Sequence, residues 1–351
     1  EERTLATAAI APSRKFEPMW RVRARLLWRG ARESWAMFRE SKIGLTGLAV
    51  IVVFFIAGFI VYPILWGGPT MPDWSPIAPN QKLWQPLWDE RIYDPILGRP
   101  FIWDEKQQTY VTENFPAPPS ARHWLGTDPY GRDILSQILH GIQAAFVLGI
   151  FAALITVFIG TAVGAISAYY GGFIDTFFMR LADIILLFPL IAFLIVLSGL
   201  MQMDFWSLAV ILGIYGGFGS ITIVLKSQAL AIKVKPYIEA ALVAGGSHGH
   251  IIFRHIIPNI LPLSFLYMMF TVTSAIFSEA VLSFFGLVDI KMSWGLMINV
   301  TRDAGYLGAT NMMEYWWLWL PAGSCITLLC AAFYLVGRGL DEIVNPRLRA
   351  R

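Results

Sequence analysis

The stretch KPYIEAALVAGGSHGHIIFRHIIP, Lys235–Pro258, is the longest polar interruption in the apolar half of the chain. Pro236 suits the first position of a helix, because its φ is fixed and it has no N–H group to leave unpaired. Gly245-Gly246 end that helix, since glycine adopts the left-handed conformation without steric cost. Ser247 can cap a second helix, which Pro258 stops. The stretch predicts two short helices joined by a glycine turn, lying outside the bilayer between two membrane spans.

The composition is that of a membrane protein. Hydrophobic residues make up 56% of the 351 residues and charged residues 15%, whereas soluble domains have about 45–50% and about 25%. The net charge of +3 is small and scattered, so no nucleic-acid partner is indicated. Cys325 and Cys330 lie in one apolar segment, and they imply no disulfide framework. The composition therefore predicts a lipid bilayer as the solvent of most of the chain.

Six apolar segments are long enough to cross the hydrocarbon core of a bilayer, which takes about 20 residues. Residues 1–42 before them carry interleaved arginines and aromatic residues, which indicate a cytoplasmic amphipathic arm on the membrane surface. We therefore expect an all-α membrane protein with six transmembrane helices. Their predicted bounds are 43–66 for the first and, within a core domain of residues 142–337, 144–169, 174–200, 205–225, 260–285 and 317–336.

Residues 67–141 separate the first span from the core domain and are rich in proline and tryptophan. Prolines at this density disfavour long helices, and so many aromatic residues disfavour disorder. We expect an extracytoplasmic insertion built of turns and short strands.

The insertion ends in His123–Asp133, HWLGTDPYGRD. Asp128-Pro129 and the glycines predict turns, and Asp133 suits the start of a helix, where a negative charge favours the helix dipole. The Asp and Arg side chains together suggest a catalytic cluster as one reading. A structural loop is favoured instead, because no nucleophile or set of metal ligands accompanies them.

Positively charged residues cluster in three places: the arm 1–42, the loop 226–258 and the tail 338–351. The positive-inside rule places such clusters in the cytoplasm. Six spans then leave both chain termini cytoplasmic, and acidic residues such as Asp89 and Glu90 fall outside. The loop 226–258 is thereby predicted to be cytoplasmic.

Three parts of this chain resemble permease subunits of ABC importers. Glu239-Ala240-Ala241 with Gly245, together with the run Arg254–Asn259, is similar to the EAA loop of the oligopeptide and dipeptide branch. His123–Asp133 is similar to the segment before the second span in peptide-importer permeases. The third part is the pattern Gly171, Gly172, Asp175, Met179, Arg180, Asp183, Phe188 and Pro189, with the runs Ser283–Leu287 and Ser293–Gly295. The resemblance covers nearly all of residues 35–351.

The resemblance implies a type I ABC importer permease of the oligopeptide/dipeptide/nickel family, as its C-type subunit, in a bacterial inner membrane. Family members work with a second homologous permease, two ATPase subunits and an extracytoplasmic solute-binding protein. The loop 226–258 would be the coupling loop that docks on an ATPase, and the residues carried over for this role are Glu239, Ala240, Ala241, Gly245, His255 and Pro258. The extracytoplasmic signature is carried by Gly126, Thr127, Asp128, Gly131, Arg132 and Asp133.

The sequence contains no P-loop motif, so ATP and Mg are expected on the partner ATPases and no cofactor is expected on this chain. No HExxH or paired CxxC motif indicates a metal site. His248, His250 and His255 are close in sequence, but their position on an exposed helix explains them without a metal. No nucleophile and base occur together, so a membrane enzyme is disfavoured and a non-catalytic subunit is expected.

Glu279 lies within the fifth predicted span, where a carboxylate is costly unless it faces protein or water. It is either a gating or pathway group, or a buried hydrogen-bonded residue that fixes helix packing. An ion-driven secondary transporter is the alternative function, because such proteins use ionisable groups within the membrane. Within the ABC family, the solute stays open between peptides, oligosaccharides and metal chelates.

Overall fold

The computed structural model describes residues 35–62, 116–120 and 123–344, except residues 291, 309 and 311. It also describes Trp28, Arg32 and the backbone of three strands between residues 92 and 112. Most of the predicted arm 1–42, most of residues 63–115 and the tail residues 345–351 lie outside these described residues.

The described chain is mainly helical, with three short strands in the insertion, for which the sequence predicted turns and short strands. The strands pair antiparallel in the order β1-β2-β3. Their bounds are β1 Ile92–Tyr93, β2 Pro100–Asp104 and β3 Thr109–Thr112. The helices are α1 Lys42–Ile56, α2 Ile134–Tyr170, α3 Gly172–Leu187, α4 Leu190–Leu200, α5 Phe205–Phe218, α6 Ser220–Lys233, α7 Pro236–Val243, α8 His248–Ile251, α9 Ile257–Phe284, α10 Trp294–Asp303 and α11 Trp316–Val344.

Four helical segments in the described part of the chain are long and apolar enough to cross a membrane, and the number rises to six if two bent pairs each count as one span. The single segments are α1 with its π-helical extension Ala57–Val61, then α2, then α8 through α9, and finally α11. The bent pairs are α3–α4 and α5–α6. These pairs correspond to the third and fourth predicted spans, which the sequence described as single helices.

Both bent pairs break at a residue that disfavours a continuous helix. α3 and α4 meet at 86°, because Pro189 disfavours a helical backbone at the preceding residue, and Phe188 is extended, with φ −91° and ψ 120°. The Tyr215 hydroxyl of α5 donates to the freed Phe188 carbonyl at 2.6 Å. α5 and α6 meet at 41° across Gly219. The compensating bond from Tyr215 satisfies a carbonyl that lipid would leave unpaired.

α5 begins with a capping box formed by Asp204 and Ser207. The Asp204 carboxylate accepts a bond from the Ser207 backbone N–H at 3.0 Å, and the Asp204 N–H donates to the Ser207 hydroxyl at 2.9 Å. Hydrogen bonding of the Asp204 carboxylate to Ser207, first to its side chain and then to its backbone N–H, holds the pKa of Asp204 below its ordinary value. The box fixes where the chain enters α5 from the loop after α4.

α2 is the central helix and packs against α5, α6 and α9. Its glycines allow neighbouring helices to approach closely. A Cβ atom at Gly149 would lie 2.9 Å from Val272 of α9, and one at Gly160 would lie 2.9 Å from Ile221 of α6. The helix has 37 residues, about 55 Å at 1.5 Å per residue, so it is longer than the hydrocarbon core that it crosses.

The first and last described helices also pack on each other. Gly44 and Gly47 of α1 are buried, and a Cβ atom at Gly47 would lie 2.6 Å from the Ala332 carbonyl of α11. A Cβ atom at Gly44 would lie 3.1 Å from Gly339 Cα. α11 runs to Val344, past residue 337, where the sequence placed the end of the core domain.

The prediction that Pro258 stops the second helix of the coupling loop is wrong. α8 continues through the π-helical turn Ile252–Ile256 into α9, and Pro258 lies in the first turn of α9. In the π-helical turn, the Ile257 N–H bonds to the Ile252 carbonyl. The ordinary i→i−4 hydrogen bonds are therefore already interrupted where Pro258 lacks an N–H group, and the helix continues past this proline.

Candidate functional site: the coupling loop

The first helix of the coupling loop, α7, has the ends that the sequence predicted. Lys235 is extended and Pro236 occupies the first turn. At the other end, the Gly246 N–H bonds to the Ala241 carbonyl at 2.9 Å and the Gly245 N–H to the Leu242 carbonyl at 3.0 Å. This pair of bonds is a Schellman motif, and it requires the left-handed conformation of Gly245, whose φ is +84°.

One side of α7 is anchored on the membrane domain. Ile238 is 1% exposed and lies in an aliphatic cluster, which we call the inner cluster. The inner cluster joins α7 to α2, α6 and the start of α9; its other buried members are Ala165, Ala168, Tyr169, Ala229, Ile232, Ile251, Ile252, Ile256 and Ile260. Burying a branched side chain in this way stabilises the attachment by about 1.5–3 kcal/mol.

The opposite side of α7 faces solvent. Glu239 and Ala240 are exposed, and Val243 is 90% exposed. Phe253 on the following helix is 73% exposed and Tyr237 is 44% exposed. Large apolar side chains exposed outside the predicted spans are typical of a protein contact surface. We call this set, Tyr237, Glu239, Ala240, Val243 and Phe253, the docking surface.

The remaining residues predicted for this site are divided between the two sides. Ala241 is half-buried and packs against the inner cluster. His255 is half-buried, with its ring 6.4 Å from the Tyr237 ring and 5.3 Å from the His250 ring. Pro258 is exposed. The predicted set therefore includes residues that support the docking surface as well as residues that form it.

Two polar contacts tie the coupling loop to the end of α2. The Tyr169 hydroxyl and His248 Nδ1 lie 2.6 Å apart in a hydrogen bond. The Lys233 ammonium donates to the Tyr169 carbonyl at 2.8 Å and to the Ala168 carbonyl at 3.2 Å. Neither contact is visible in the sequence, since the residues are more than sixty positions apart. The sequence signal for these contacts is a lysine before α7 and a histidine after it.

The loop His123–Asp133, which we call the outer loop, folds around its own carboxylates. Asp128 accepts bonds from the backbone N–H groups of Tyr130 and Arg132, both at 2.9 Å. It also accepts bonds from Arg132 Nε at 2.6 Å and Gln137 Nε2 at 3.2 Å. Such a set of donors occupies the carboxylate fully and fixes the loop.

The second carboxylate of the outer loop starts α2. Asp133 is the N-cap of α2 and accepts from the Ser136 N–H at 2.7 Å. Its other oxygen accepts from His123 Nδ1 at 2.9 Å, and both side chains are buried. Gly126 and Gly131 both have φ of +78°, which explains the glycines of the signature. The geometry favours the structural interpretation of this cluster.

The outer loop should be sensitive to loss of the Asp128 charge. Asp128→Asn keeps the shape but can turn its NH₂ group, with two N–H donors, towards Arg132 and Gln137, which are themselves donors. We expect a loss of about 2–4 kcal/mol in the free energy of unfolding, measured by SDS titration in mixed micelles. Asp303→Asn, in an exposed pair with Arg302, is the control and should change stability by less than about 0.5 kcal/mol. Equal stability of the two variants would contradict the structural role.

Glu279 is held by neighbouring hydroxyl groups. It is buried in α9 and accepts from the Ser283 hydroxyl at 2.6 Å. The Ser293 side chain, the N-cap of α10, also bonds to Glu279. Beside it, a Cβ atom at Gly295 would overlap the backbone of Ala280. Glu279 thus joins α9 to α10, which favours the packing interpretation over a gating group.

The comparisons with known proteins agree with this arrangement. Residues 160–350 match the family described as binding-protein-dependent transport system inner membrane component. The chain is 29% identical to the dipeptide transport system permease protein DppC of Bacillus subtilis over 91% of this chain and 86% of that protein. It is 32% identical to a putative peptide transport system permease protein of Brucella suis biovar 1, over 66% of this chain and 76% of that protein. The matched region contains the coupling loop and every helix from α3 onward, and the chain belongs to the family of inner membrane components of binding-protein-dependent transport systems.

Proposed function

We propose that this chain is a permease subunit of an ATP-driven importer for peptides or similar solutes. It works with a second homologous permease, two ATPase subunits and an extracytoplasmic solute-binding protein in a bacterial inner membrane. The observation that carries the proposal is the docking surface, a set of exposed, mainly apolar residues on a loop that the inner cluster fixes to the membrane domain. Peptide is the proposed solute because the relatives carry dipeptide and peptide in their names.

The proposed mechanism is alternating access, driven by the partner subunits. ATP binding closes the ATPase pair, the coupling loops move with it, and the membrane helices open outward to accept the solute. In this mechanism the chain is non-catalytic and binds no cofactor of its own, since ATP and Mg lie on the ATPases.

The test is transport by the assembled importer in proteoliposomes. We expect uptake of a labelled peptide to require ATP and the solute-binding protein, and to persist when ionophores dissipate all ion gradients. Uptake by this chain alone, driven by an ion gradient and without ATP, would instead support the secondary transporter. A peptide, an oligosaccharide and a nickel chelate offered in parallel distinguish the solute classes.

The proposed topology has both termini and the coupling loop in the cytoplasm, with six spans and the insertion outside. A variant with Cys325 and Cys330 replaced by alanine provides the background for labelling. We expect a single cysteine at Ala244 to react with an impermeant maleimide only in inside-out vesicles, because positive charge around it keeps the loop inside. A cysteine at Thr310 should react only in right-side-out vesicles. Labelling of position 244 from outside would overturn this topology.

A further inference from the structure

α7 leaves and rejoins the membrane domain at the same place. Lys233 precedes α7 and donates to the Ala168 and Tyr169 carbonyls. His248 follows α7 and bonds to the Tyr169 hydroxyl. Both flanks of the helix that carries the docking surface therefore contact the last turn of α2.

The Tyr169 contacts combine charge, hydrogen bonding and apolar packing. Lys233 places a positive charge at the C-terminal end of α2, where the helix dipole and the unpaired carbonyls favour it. Its ammonium also lies 5.9 Å from the centre of the Tyr169 ring. The His248 ring packs against the same tyrosine ring at 5.6 Å, in an edge-on orientation. Tyr169 and Ala168 are buried members of the inner cluster.

α2 connects the contacts at Tyr169 to the rest of the membrane domain. It packs along its length against α5, α6 and α9, and the outer loop caps its far end through Asp133. Packed helices move as units rather than deforming continuously. A shift applied at Tyr169 is thus passed to most of the membrane domain.

We propose that Tyr169 is the joint through which movement of the coupling loop reaches the membrane helices, and that Lys233 and His248 are the positioning residues that hold it. The proposal rests on the proposed function, because it assigns a route to the energy that the ATPases supply. In this proposal the exposed side of α7 binds an ATPase subunit. The contacts of Lys233 and His248 with Tyr169, behind the other side of α7, transmit the movement.

The test separates transmission from docking and from folding. The full importer is reconstituted with the Tyr169→Phe, His248→Ala or Lys233→Met permease, and peptide taken up per ATP hydrolysed is measured. We expect this ratio to fall about three- to tenfold, the range that one hydrogen bond supplies, while ATP hydrolysis and retention of the ATPases stay at the unmodified level. His248→Asn should keep most of the ratio, since its amide oxygen can accept near the position of Nδ1.

The control uses a neighbouring residue of the same type. Tyr170→Phe removes the hydroxyl of an exposed tyrosine but keeps the ring that packs against Tyr169 and His248, so it should not change the ratio. The double variant Tyr169→Phe/His248→Ala should be no worse than His248→Ala alone, because both changes remove one contact.

The outcomes that overturn the proposal are distinct from failure of the proposed function. An unchanged ratio in Tyr169→Phe refutes the joint and leaves the importer function standing. Loss of Tyr169→Phe from the membrane also refutes it, since the contact would then serve folding. If the unmodified assembly takes up peptide without ATP, the proposed function itself is wrong.

Discussion

Replacing Ala240 by arginine is expected to abolish peptide uptake while the permease still reaches the membrane at its normal level. Ala240 lies on the exposed side of α7, so the fold has room for a longer side chain. A hydrated charge placed inside a protein contact without a partner costs several kcal/mol, and each 1.4 kcal/mol weakens binding about tenfold. We expect retention of the ATPase subunits during purification to fall by at least about a hundredfold.

Ala240 is a cleaner site for this test than its neighbour. Ala241 packs on the inner cluster, so an arginine there would disturb the anchoring of α7 as well as the contact beyond it. The control is Ala304→Arg, which adds the same side chain at an exposed alanine after α10 and should leave uptake unchanged. Normal uptake in Ala240→Arg, with the protein confirmed in the membrane, would show that the docking surface does not contact an ATPase.

Gly245→Val is expected to lower uptake nearly as far. The residue has φ of +84°, and a β-branched side chain resists that conformation. The strain is of order 1–3 kcal/mol, and it is relieved by opening the two bonds of the Schellman motif, which lets the end of α7 shift. The open space around position 245, with no atom within 4 Å of a Cβ, excludes a steric clash as the cause.

Gly249 provides a matched control for the backbone effect. A Cβ atom there also meets nothing within 4 Å, but this glycine lies in α8 and is absent from the glycines with positive φ. Gly249→Val should therefore retain uptake within about twofold, with helix propensity as the main change. If both variants transport equally well, the left-handed turn after α7 is dispensable for coupling.

The sequence was most informative where one residue type has one conformational use. Pro236 defines the start of α7, Gly245 and Ser247 define the two ends of the glycine turn, and each occupies the predicted place. Asp133 likewise caps α2 as expected. These predictions succeeded because they depend on local backbone chemistry, which a few neighbouring residues determine.

The sequence was least informative where a break is compensated by a distant residue. Pro189 was visible, but the bend of 86° depends on Tyr215, which satisfies the Phe188 carbonyl from another helix. Pro258 predicts the end of a helix, yet the helix continues into α9 through the π-helical turn before it. The lengths of the apolar segments predict spans at α3–α4 and α5–α6, but they contain no information on the bends within them.

For the candidate site as well, sequence patterns predicted the contiguous features and missed the contacts between distant residues. Sequence patterns identified α7 and its flanking glycines, because the EAA pattern is contiguous. They did not separate the exposed Ala240 from the half-buried Ala241, since that difference depends on how α7 sits on the inner cluster. They also missed Tyr169, whose partner His248 is 79 residues away.

The packing of α1 against α11 also bears on the order in which the chain is assembled. Gly44 faces Gly339, so this face of α1 meets α11 only after α11 has been synthesised. Contacts this distant in sequence form late, because a long loop must close first. Until then the glycine face of α1 is covered by lipid or by the insertion machinery. A chain cut short before residue 316 would therefore be exposed to membrane quality-control proteases, even with its coupling loop complete.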